Sequence, residues 1–276
     1  MPSEIRTDVP TSARGYNWLL GGKDNYEVDR ATVRGMLQAF PSCLDIARQN
    51  RQFLYRAVKY LTEEAGIRQF LDMGCGLPTE NNVHQVAARF TDEARVVYVD
   101  SDPVVLAHAR VLLATDRSTS VITADLRDHE AVLAHPDVQR LIDLDEPVAV
   151  LFLSVGHHLL DEAGPRDVVH AIIDRAAPGS HLAFSQVVSD DPDRGAQQSA
   201  AFNAAGIPWR TRTPAEVDAL LTGLEPVDPG LVNLVDWRPV DLQPPLAPVP
   251  PEIAQYEGAS HRDPTVYEYG GVLRTG

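Results

Sequence analysis

A carboxylate and two glycines stand together in residues 70–76 (FLDMGCG), at the end of an apolar run. Gly74 and Gly76 allow a tight turn and the close approach of a ligand to the backbone. A dinucleotide-binding turn would place a pyrophosphate here, and Asp72 would repel it. The third glycine of the dinucleotide fingerprint is also missing, because Pro78 stands near its place. This turn therefore favours a cationic ligand.

The next two predicted strands also end in carboxylates. Asp100 is placed to accept hydrogen bonds from both ribose hydroxyls of an adenosine, and Ser101 beside it is a second candidate contact. A helix cap is the structural alternative for Asp100, but Asp102 is the better cap for the helix that follows. Asp125 is placed to accept the adenine amino group while Leu126 packs on the ring. A positively charged adenosine derivative, S-adenosylmethionine, fits these requirements together.

Polar side chains also follow the fourth predicted strand. Ser154, His157 and His158 come after the apolar run 148–153, where a transferred methyl group should point. If an oxygen or nitrogen acceptor must lose a proton, either histidine is a candidate general base. The structural alternative is a buried histidine that is hydrogen-bonded to a loop carbonyl. No carboxylate stands at ligand spacing from this pair in the sequence, so we predict no metal site.

These residues need a sheet to bring them together. From residue 67 onwards short apolar runs alternate with helical segments, which is typical of βαβ units and a parallel sheet. The predicted strands span 68–72, 96–100, 120–124, 147–153, 180–187, 231–235 and 266–269. The predicted helices among them span 80–90, 103–114, 128–134, 164–176, 193–205 and 213–222.

The two ends of the chain have a different character. Residues 1–14 predict a flexible arm, and helices over 24–39 and 43–65 precede the sheet. The second helix carries apolar residues at three- and four-residue spacing. The Pro-rich stretch 238–264 predicts an extended loop.

Composition excludes several classes of protein. The formal net charge is −15, from 39 acidic and 24 basic residues, which disfavours a nucleic-acid partner. The two cysteines, Cys43 and Cys75, are too few for a disulfide framework and lack the spacing of a zinc site. No apolar run approaches the length of a membrane span, and no secretory signal is evident. We therefore expect a cytoplasmic protein without a membrane partner.

Four segments carry a resemblance to a known family: 16–26 (YNWLLGGKDNY), 70–79 (FLDMGCGLPT), 97–103 (VYVDSDP) and 237–239 (WRP). With them the chain resembles the class I methyltransferases that depend on S-adenosylmethionine. More narrowly, it looks like a bacterial S-adenosyl methyltransferase family once catalogued only as a domain of unknown function. The resemblance implies a doubly wound, Rossmann-like α/β fold with a seven-stranded sheet and an N-terminal helical extension.

The resemblance also implies which residues hold the cofactor. It assigns the turn from Asp72 to Gly76 and the carboxylate of Asp100 to cofactor binding. It further implies that an N-terminal segment, in which Tyr16 and Asn17 are our candidate contacts, folds over the cofactor. We therefore divide the chain into an N-terminal arm and helical cap over 1–66 and a cofactor-binding core over 67–276.

The predicted function is transfer of a methyl group from S-adenosylmethionine to a small-molecule acceptor. Two alternatives stay open at this point. An NAD-dependent oxidoreductase agrees with the sheet but conflicts with Asp72 and the missing third glycine. A protein that binds S-adenosylmethionine or its demethylated product without catalysis, as a sensor or partner subunit, agrees with the same residues.

Overall fold

Eight strands form one sheet in the computed structural model, which describes residues 6–112 and 117–276. The strands are β1 (Gln69–Met73), β2 (Arg95–Asp100), β3 (Thr119–Thr123), β4 (Ala149–Leu153), β5 (His181–Ser189), β6 (Glu225–Pro226), β7 (Val232–Asn233) and β8 (Val266–Arg274). Seven of them lie in the order β3-β2-β1-β4-β5-β8-β6, and β7 pairs with β8 beside this path. Strands β1 to β5 are parallel, and β8 runs antiparallel to β5.

The doubly wound α/β fold is confirmed, with one strand more than the seven expected. The extra strand arises because β8 is nine residues long and two short strands share its outer edge. Near the end of β8, Glu225 of β6 pairs with Arg274. Nearer its start, Val232 of β7 pairs with Gly270. The sheet is thus longer at this edge than the apolar pattern of the sequence indicated.

The helices surround the sheet. They are α1 (Ser12–Leu19), α2 (Glu27–Ala39), α3 (Cys43–Glu63), α4 (Val83–Ala87), α5 (Pro103–Leu112), α6 (His129–Ala134), α7 (Pro136–Leu141), α8 (Pro165–Ile173), α9 (Pro192–Ala204) and α10 (Pro214–Leu220). Every residue of β1 and of β4 is buried, as expected for central strands covered on both faces. Helix α3 packs on one face through Phe53 and Val58, and α8 packs on the other through Val169 and Ile173.

The N-terminal region is more ordered than the sequence indicated. The predicted flexible arm over 1–14 is wrong from Ser12 onwards, where α1 begins. The side chain of Thr11 caps this helix by accepting a hydrogen bond from the backbone N–H of Arg14. Residues 1–5 of the arm lie outside the described residues, as do positions 113 and 114 of the predicted helix over 103–114.

The Pro-rich stretch is mostly irregular, as predicted, but it contains 3-10 turns at Pro251–Tyr256 and Ala259–His261. Ile253 in the first of these turns is fully buried against Trp18, Leu37 and Leu44. The stretch therefore packs on the N-terminal helices. In the part of the chain that the structure describes, no helix is both long and apolar enough to span a membrane.

Candidate active site

A cavity of about 980 Å³ opens at the carboxyl ends of the central strands. It lies where the chain order reverses, between β1 with its neighbours β2 and β3 on one side and β4 with β5 on the other. Open α/β sheets bind their ligands at this position. The loops after β1 to β4, the helices α1 to α3 and residues 206–209 line the cavity. Its volume is at the upper end of the roughly 300–1,000 Å³ of small-molecule sites, which suits two ligands.

The glycine turn after β1 forms part of the floor. Gly74 has a φ of +78°, and a Cβ atom there would lie 2.6 Å from Cγ1 of Val155 in the loop after β4. Gly76 has a φ of +65°, and a Cβ atom there would meet no atom within 4 Å. Gly74 therefore permits close packing of the loop after β1 against the loop after β4. Gly76 instead exposes its backbone to open space.

Asp100 holds this turn in place. One carboxylate oxygen accepts the backbone N–H of Gly76 at 2.8 Å, and the other accepts that of Asp102 at 2.9 Å. Burial raises the pKa of Asp100, and the backbone hydrogen bonds partly offset this. A carboxylate has about four acceptor positions, so two remain for a ligand. Ser101 also lines the cavity, and Asp102 caps α5 by accepting the backbone N–H of Val104 at 2.9 Å.

Asp72 and Arg51 face a second, smaller cavity of about 30 Å³ beside the glycine turn. Burial raises the pKa of Asp72 to about 7, although the nearby Arg51 guanidinium lowers it. Nη2 of Arg51 donates to the carbonyl of Glu80 at 2.8 Å and to Oδ1 of Asn82 at 2.9 Å. Its Nε is buried and has no hydrogen-bond partner among the described residues. A buried carboxylate and a half-buried arginine whose buried Nε is a free donor thus lie at one edge of the turn.

Arg51 is not among the residues predicted for the site from the sequence. Its position in α3 could have indicated its role. Arg51 comes four residues after Ala47 and three before Leu54, and both of these residues lie on the buried face of the helix. An arginine on that face needs a partner, and its partners come from residues about 30 positions later in the chain.

Asp125 and Leu126 lie in the loop after β3 and both line the main cavity. The carboxylate of Asp125 accepts from the backbone N–H of Arg127 at 2.9 Å and pairs with its guanidinium. This pairing lowers the pKa of Asp125. Leu126 packs towards the glycine turn, with Cδ2 3.4 Å from the place of a Cβ atom on Gly74.

The two histidines after β4 differ in which ring nitrogen is available. Nδ1 of His157 accepts the backbone N–H of Val187 at 3.2 Å, so Nε2 carries the proton of the neutral ring. In His158, Nδ1 lies 2.8 Å from the carbonyl oxygen of Pro208 and must donate to it. Its Nε2 is then an acceptor, and Oγ of Ser12, 2.9 Å away, donates to it. Burial lowers the pKa of both histidines, so both rings are neutral at pH 7.

Ser154 follows β4 in the left-handed region, with a φ of +58°. Its backbone N–H donates to Oγ of Ser185 at 2.8 Å, and Ser185 in turn donates to Oδ1 of Asn50 at 2.7 Å. Glu268 on β8 lies on this side of the sheet, fully buried, and neither carboxyl oxygen has a hydrogen-bond partner among the described residues. Burial raises the pKa of Glu268 to about 8. The side chains packed behind Ser154 are therefore polar but uncharged at neutral pH.

Of the two N-terminal candidates, Tyr16 lines the cavity. Its hydroxyl donates to the carbonyl of Ala47 at 2.9 Å and accepts from Asn50 at 2.8 Å, which fixes the ring against α3. Asn17 serves the turn after α1 instead. Its Oδ1 accepts the backbone N–H of Asp24 at 3.1 Å and Nδ2 of Asn25 at 3.0 Å.

The start of α1 lines the mouth of the cavity, where Thr11 and Ser12 make contacts that were not predicted from the sequence. Oγ1 of Thr11 donates to Asp102 at 3.0 Å, and Ser12 donates to His158. These bonds join the N-terminal region to the loops after β2 and after β4. Their partners are 91 and 146 residues away in the sequence, so spacing alone gave no sign of them.

Comparison with known proteins agrees with this architecture. The model of a family described as S-adenosyl methyltransferase matches residues 1–275. The crystal structure of a candidate methyltransferase from Thermobifida fusca is 39% identical, covers 98% of this chain and 97% of that one, and has a TM-score of 0.82. A DUF574 family protein from Streptomyces avermitilis is 34% identical, covers 99% and 100%, and has a TM-score of 0.86.

A more distant structure shares the fold alone. A candidate methyltransferase from Haloferax volcanii is 17% identical, covers 88% of this chain and 97% of that one, and has a TM-score of 0.52. No curated protein matches the chain.

Proposed function

Because this chain belongs to the S-adenosyl methyltransferase family, we propose that it methylates a small molecule held in the main cavity, with His158 as the proton acceptor. It is a methyltransferase that depends on S-adenosylmethionine as its cofactor. The observation that carries the proposal is the continuity of the cavity. One space is lined by the carboxylate of Asp100, the bare backbone of Gly76 and the ring of His158.

The residues at the ends of β1 to β3 fit the cofactor. Asp100 has acceptor positions left for two ribose hydroxyls, and Leu126 is available for the ring of the adenine. Asp125 would accept the amino group of the adenine by giving up a bond from Arg127. The methionine end carries an ammonium and a carboxylate. Asp72 and Arg51 offer the two complementary charges beside the glycine turn, and the free Nε of Arg51 is the donor that such a carboxylate requires.

The cofactor supplies a methyl group on a positively charged sulfur. Held by Asp100, Leu126 and the glycine turn, it would give this methyl group to an acceptor oxygen or nitrogen, and the electrons of the broken carbon–sulfur bond would stay on sulfur. The proton of that acceptor passes to Nε2 of His158, which is the basic nitrogen of the neutral ring. His157 keeps its Nδ1 lone pair on the backbone of Val187 and serves as a wall.

Orientation and exclusion of water supply the rest of the acceleration in this scheme. Helices α1 to α3 line the cavity opposite the strand ends, and Thr11 and Ser12 tie α1 to both sides. We therefore assign the cap to residues 1–66 and the core to 67–276. Breaking the hydrogen bonds from Thr11 to Asp102 and from Ser12 to His158 would open the mouth of the cavity. The acceptor would then replace Ser12 as the hydrogen-bond donor to Nε2 of His158.

The test has two parts. Calorimetry with S-adenosylhomocysteine, and with NADH as the rival ligand, measures which compound binds. Mass spectrometry of a metabolite extract incubated with enzyme and S-adenosylmethionine then identifies methylated products. Binding of the thioether together with a methylated small molecule supports the proposal. Tight binding without any turnover would leave a sensor as the function, and binding of NADH alone would refute the cofactor site.

A further inference from the structure

The main cavity has a second end, away from the glycine turn. Its side chains come from α2, α3, β5, α9 and the loop after α9, and they pack together as one cluster. We call this end the apolar compartment, and it consists of Met36, Ile46, Val187, Phe202, Ile207 and Trp209. Because β5 is on the far side of β4 from β1, the compartment is separate from the proposed cofactor contacts.

Three stacked rings make one wall of the compartment rigid. The ring of Trp209 stacks on Phe202, with centroids 3.9 Å apart and planes 19° from parallel. Its other face stacks on His157 at 3.8 Å and 27°. The indole N–H donates to Oγ1 of Thr211 at 2.9 Å. Trp209 is thereby fixed on both faces and at its polar edge, so this aromatic wall is rigid before a ligand binds.

The charges that α1 and α2 bring to the cavity are already neutralised. Nε of Arg14 lies 3.1 Å from a carboxylate oxygen of Asp29, and both side chains are at most 1% exposed. The same carboxylate accepts the backbone N–H groups of Thr11 and Tyr26, at 3.0 and 2.8 Å. Neither member of this pair is left to bind a charged acceptor. None of the six side chains of the apolar compartment is charged either, so a charged ligand there would lose its hydration without gaining a counter-ion from them.

We infer that the methyl acceptor is an uncharged, mainly apolar aromatic compound whose reacting group is a hydroxyl or an uncharged amine. This inference rests on the proposed function. The ring would lie in the apolar compartment, and the reacting group would face Nε2 of His158, which stands next to the stacked wall with its ring centroid 5.2 Å from that of Trp209.

A pair of probes that differ in charge tests this inference. Calorimetry measures the Kd of 2-naphthol and of 6-hydroxynaphthalene-2-sulfonate for the full chain saturated with S-adenosylhomocysteine. The neutral probe should bind at least about 10-fold more tightly, since the sulfonate must be buried without a partner. Equal or tighter binding of the sulfonate would overturn the inference, and so would the failure of both probes to bind.

A charge placed in the compartment provides the matched variant. Met36→Lys should reduce or reverse the preference for the neutral probe, whereas Gln38→Lys adds the same charge at an exposed position of α2 and should leave it unchanged. An unaltered preference in Met36→Lys, in a variant that still binds S-adenosylhomocysteine, would contradict this location. The binding of that thioether is measured first, so a failure of the proposed function is seen separately from a failure of this inference.

Discussion

Replacing Asp100 with alanine should weaken binding of S-adenosylhomocysteine by roughly 10- to 150-fold. A hydrogen bond to a charged group contributes about 1.5–3 kcal/mol, and this range of affinity corresponds to one such bond to the ribose. The carboxylate uses one position on each oxygen for the N–H groups of Gly76 and Asp102, and one position on each is left for a hydroxyl. Loss of both ribose bonds would place the effect at or above the upper end of the range.

The same substitution should change the stability of the fold only modestly. Two backbone hydrogen bonds disappear, but both N–H groups belong to half-buried residues that water can reach. The variant also no longer buries a carboxylate whose pKa is raised by desolvation, which offsets part of the loss. We expect the free energy of unfolding to fall by about 2 kcal/mol or less. Thermal denaturation without ligand checks this before any binding is measured.

Asp125→Ala provides the control. Asp125 also ends a strand and lines the same cavity, but its carboxylate is paired with Arg127 and is more exposed. Its removal should weaken binding less than that of Asp100. If calorimetry gives wild-type affinity for a folded Asp100→Ala protein, the ribose does not bind at β2 and the proposed orientation of the cofactor is wrong.

Three further predictions concern protonation. The affinity for S-adenosylhomocysteine should be about tenfold lower at pH 6 than at pH 8. The reason is that the carboxyl group of Asp72 has a pKa of about 7 and loses its negative charge as the pH falls through that range. Calorimetry should show a smaller dependence of the affinity on pH for Asp72→Asn. The rate of methyl transfer should fall only at a pH below the ordinary pKa of histidine, because burial lowers the pKa of His158. His158→Gln should reduce kcat by about 10²- to 10⁴-fold, and His157→Gln should have a smaller effect. The pKa of Glu268 is about 8 in the folded protein against an ordinary 4.5, so the unfolded chain ionises first and the stability of the fold decreases as the pH rises between these values. Urea denaturation at pH 5.5 and 7.5 should show that the free energy of unfolding of the wild type falls by about 1.4 kcal/mol per pH unit relative to that of Glu268→Gln. The same pH dependence of stability in the two proteins would contradict this prediction.

The parallel core of the fold could be predicted from the sequence because its signals are local. A central strand covered on both faces must be apolar throughout, and the run that became β4 has this character. The glycines after β1 and the carboxylates after β2 and β3 mark strand ends, and the rule that ligands bind at such ends brings them to one cavity. Gly74, Gly76, Asp100 and Asp125 line that cavity, whereas Asp72 faces the smaller cavity beside it.

The N-terminal region was predicted less well because its structure depends on distant partners. Arg14 reads as a surface residue of a flexible arm, yet it is buried through its ion pair with Asp29. Arg51 reads as one charge on a solvated helix, yet its partners, Glu80 and Asn82, belong to the loop after β1. A buried arginine carries no local mark that distinguishes it from an exposed one, apart from its position on the apolar face of a helix.

The roles of the two histidines could not be separated by sequence, and the structure gives a physical reason for choosing between them. In the proposed reaction the positive charge leaves sulfur and, with the acceptor's proton, arrives on His158. Burial opposes the arrival of this charge, as the lowered pKa of His158 indicates. The carbonyl of Pro208 favours it, because an imidazolium donates more strongly through Nδ1 than a neutral ring does. His157 would have to give up its bond from the N–H of Val187 to hold a second proton on Nδ1, and it would take on charge with its face stacked on Trp209. In the proposed reaction, the loop that carries Pro208 therefore makes His158 the better base of the two adjacent rings.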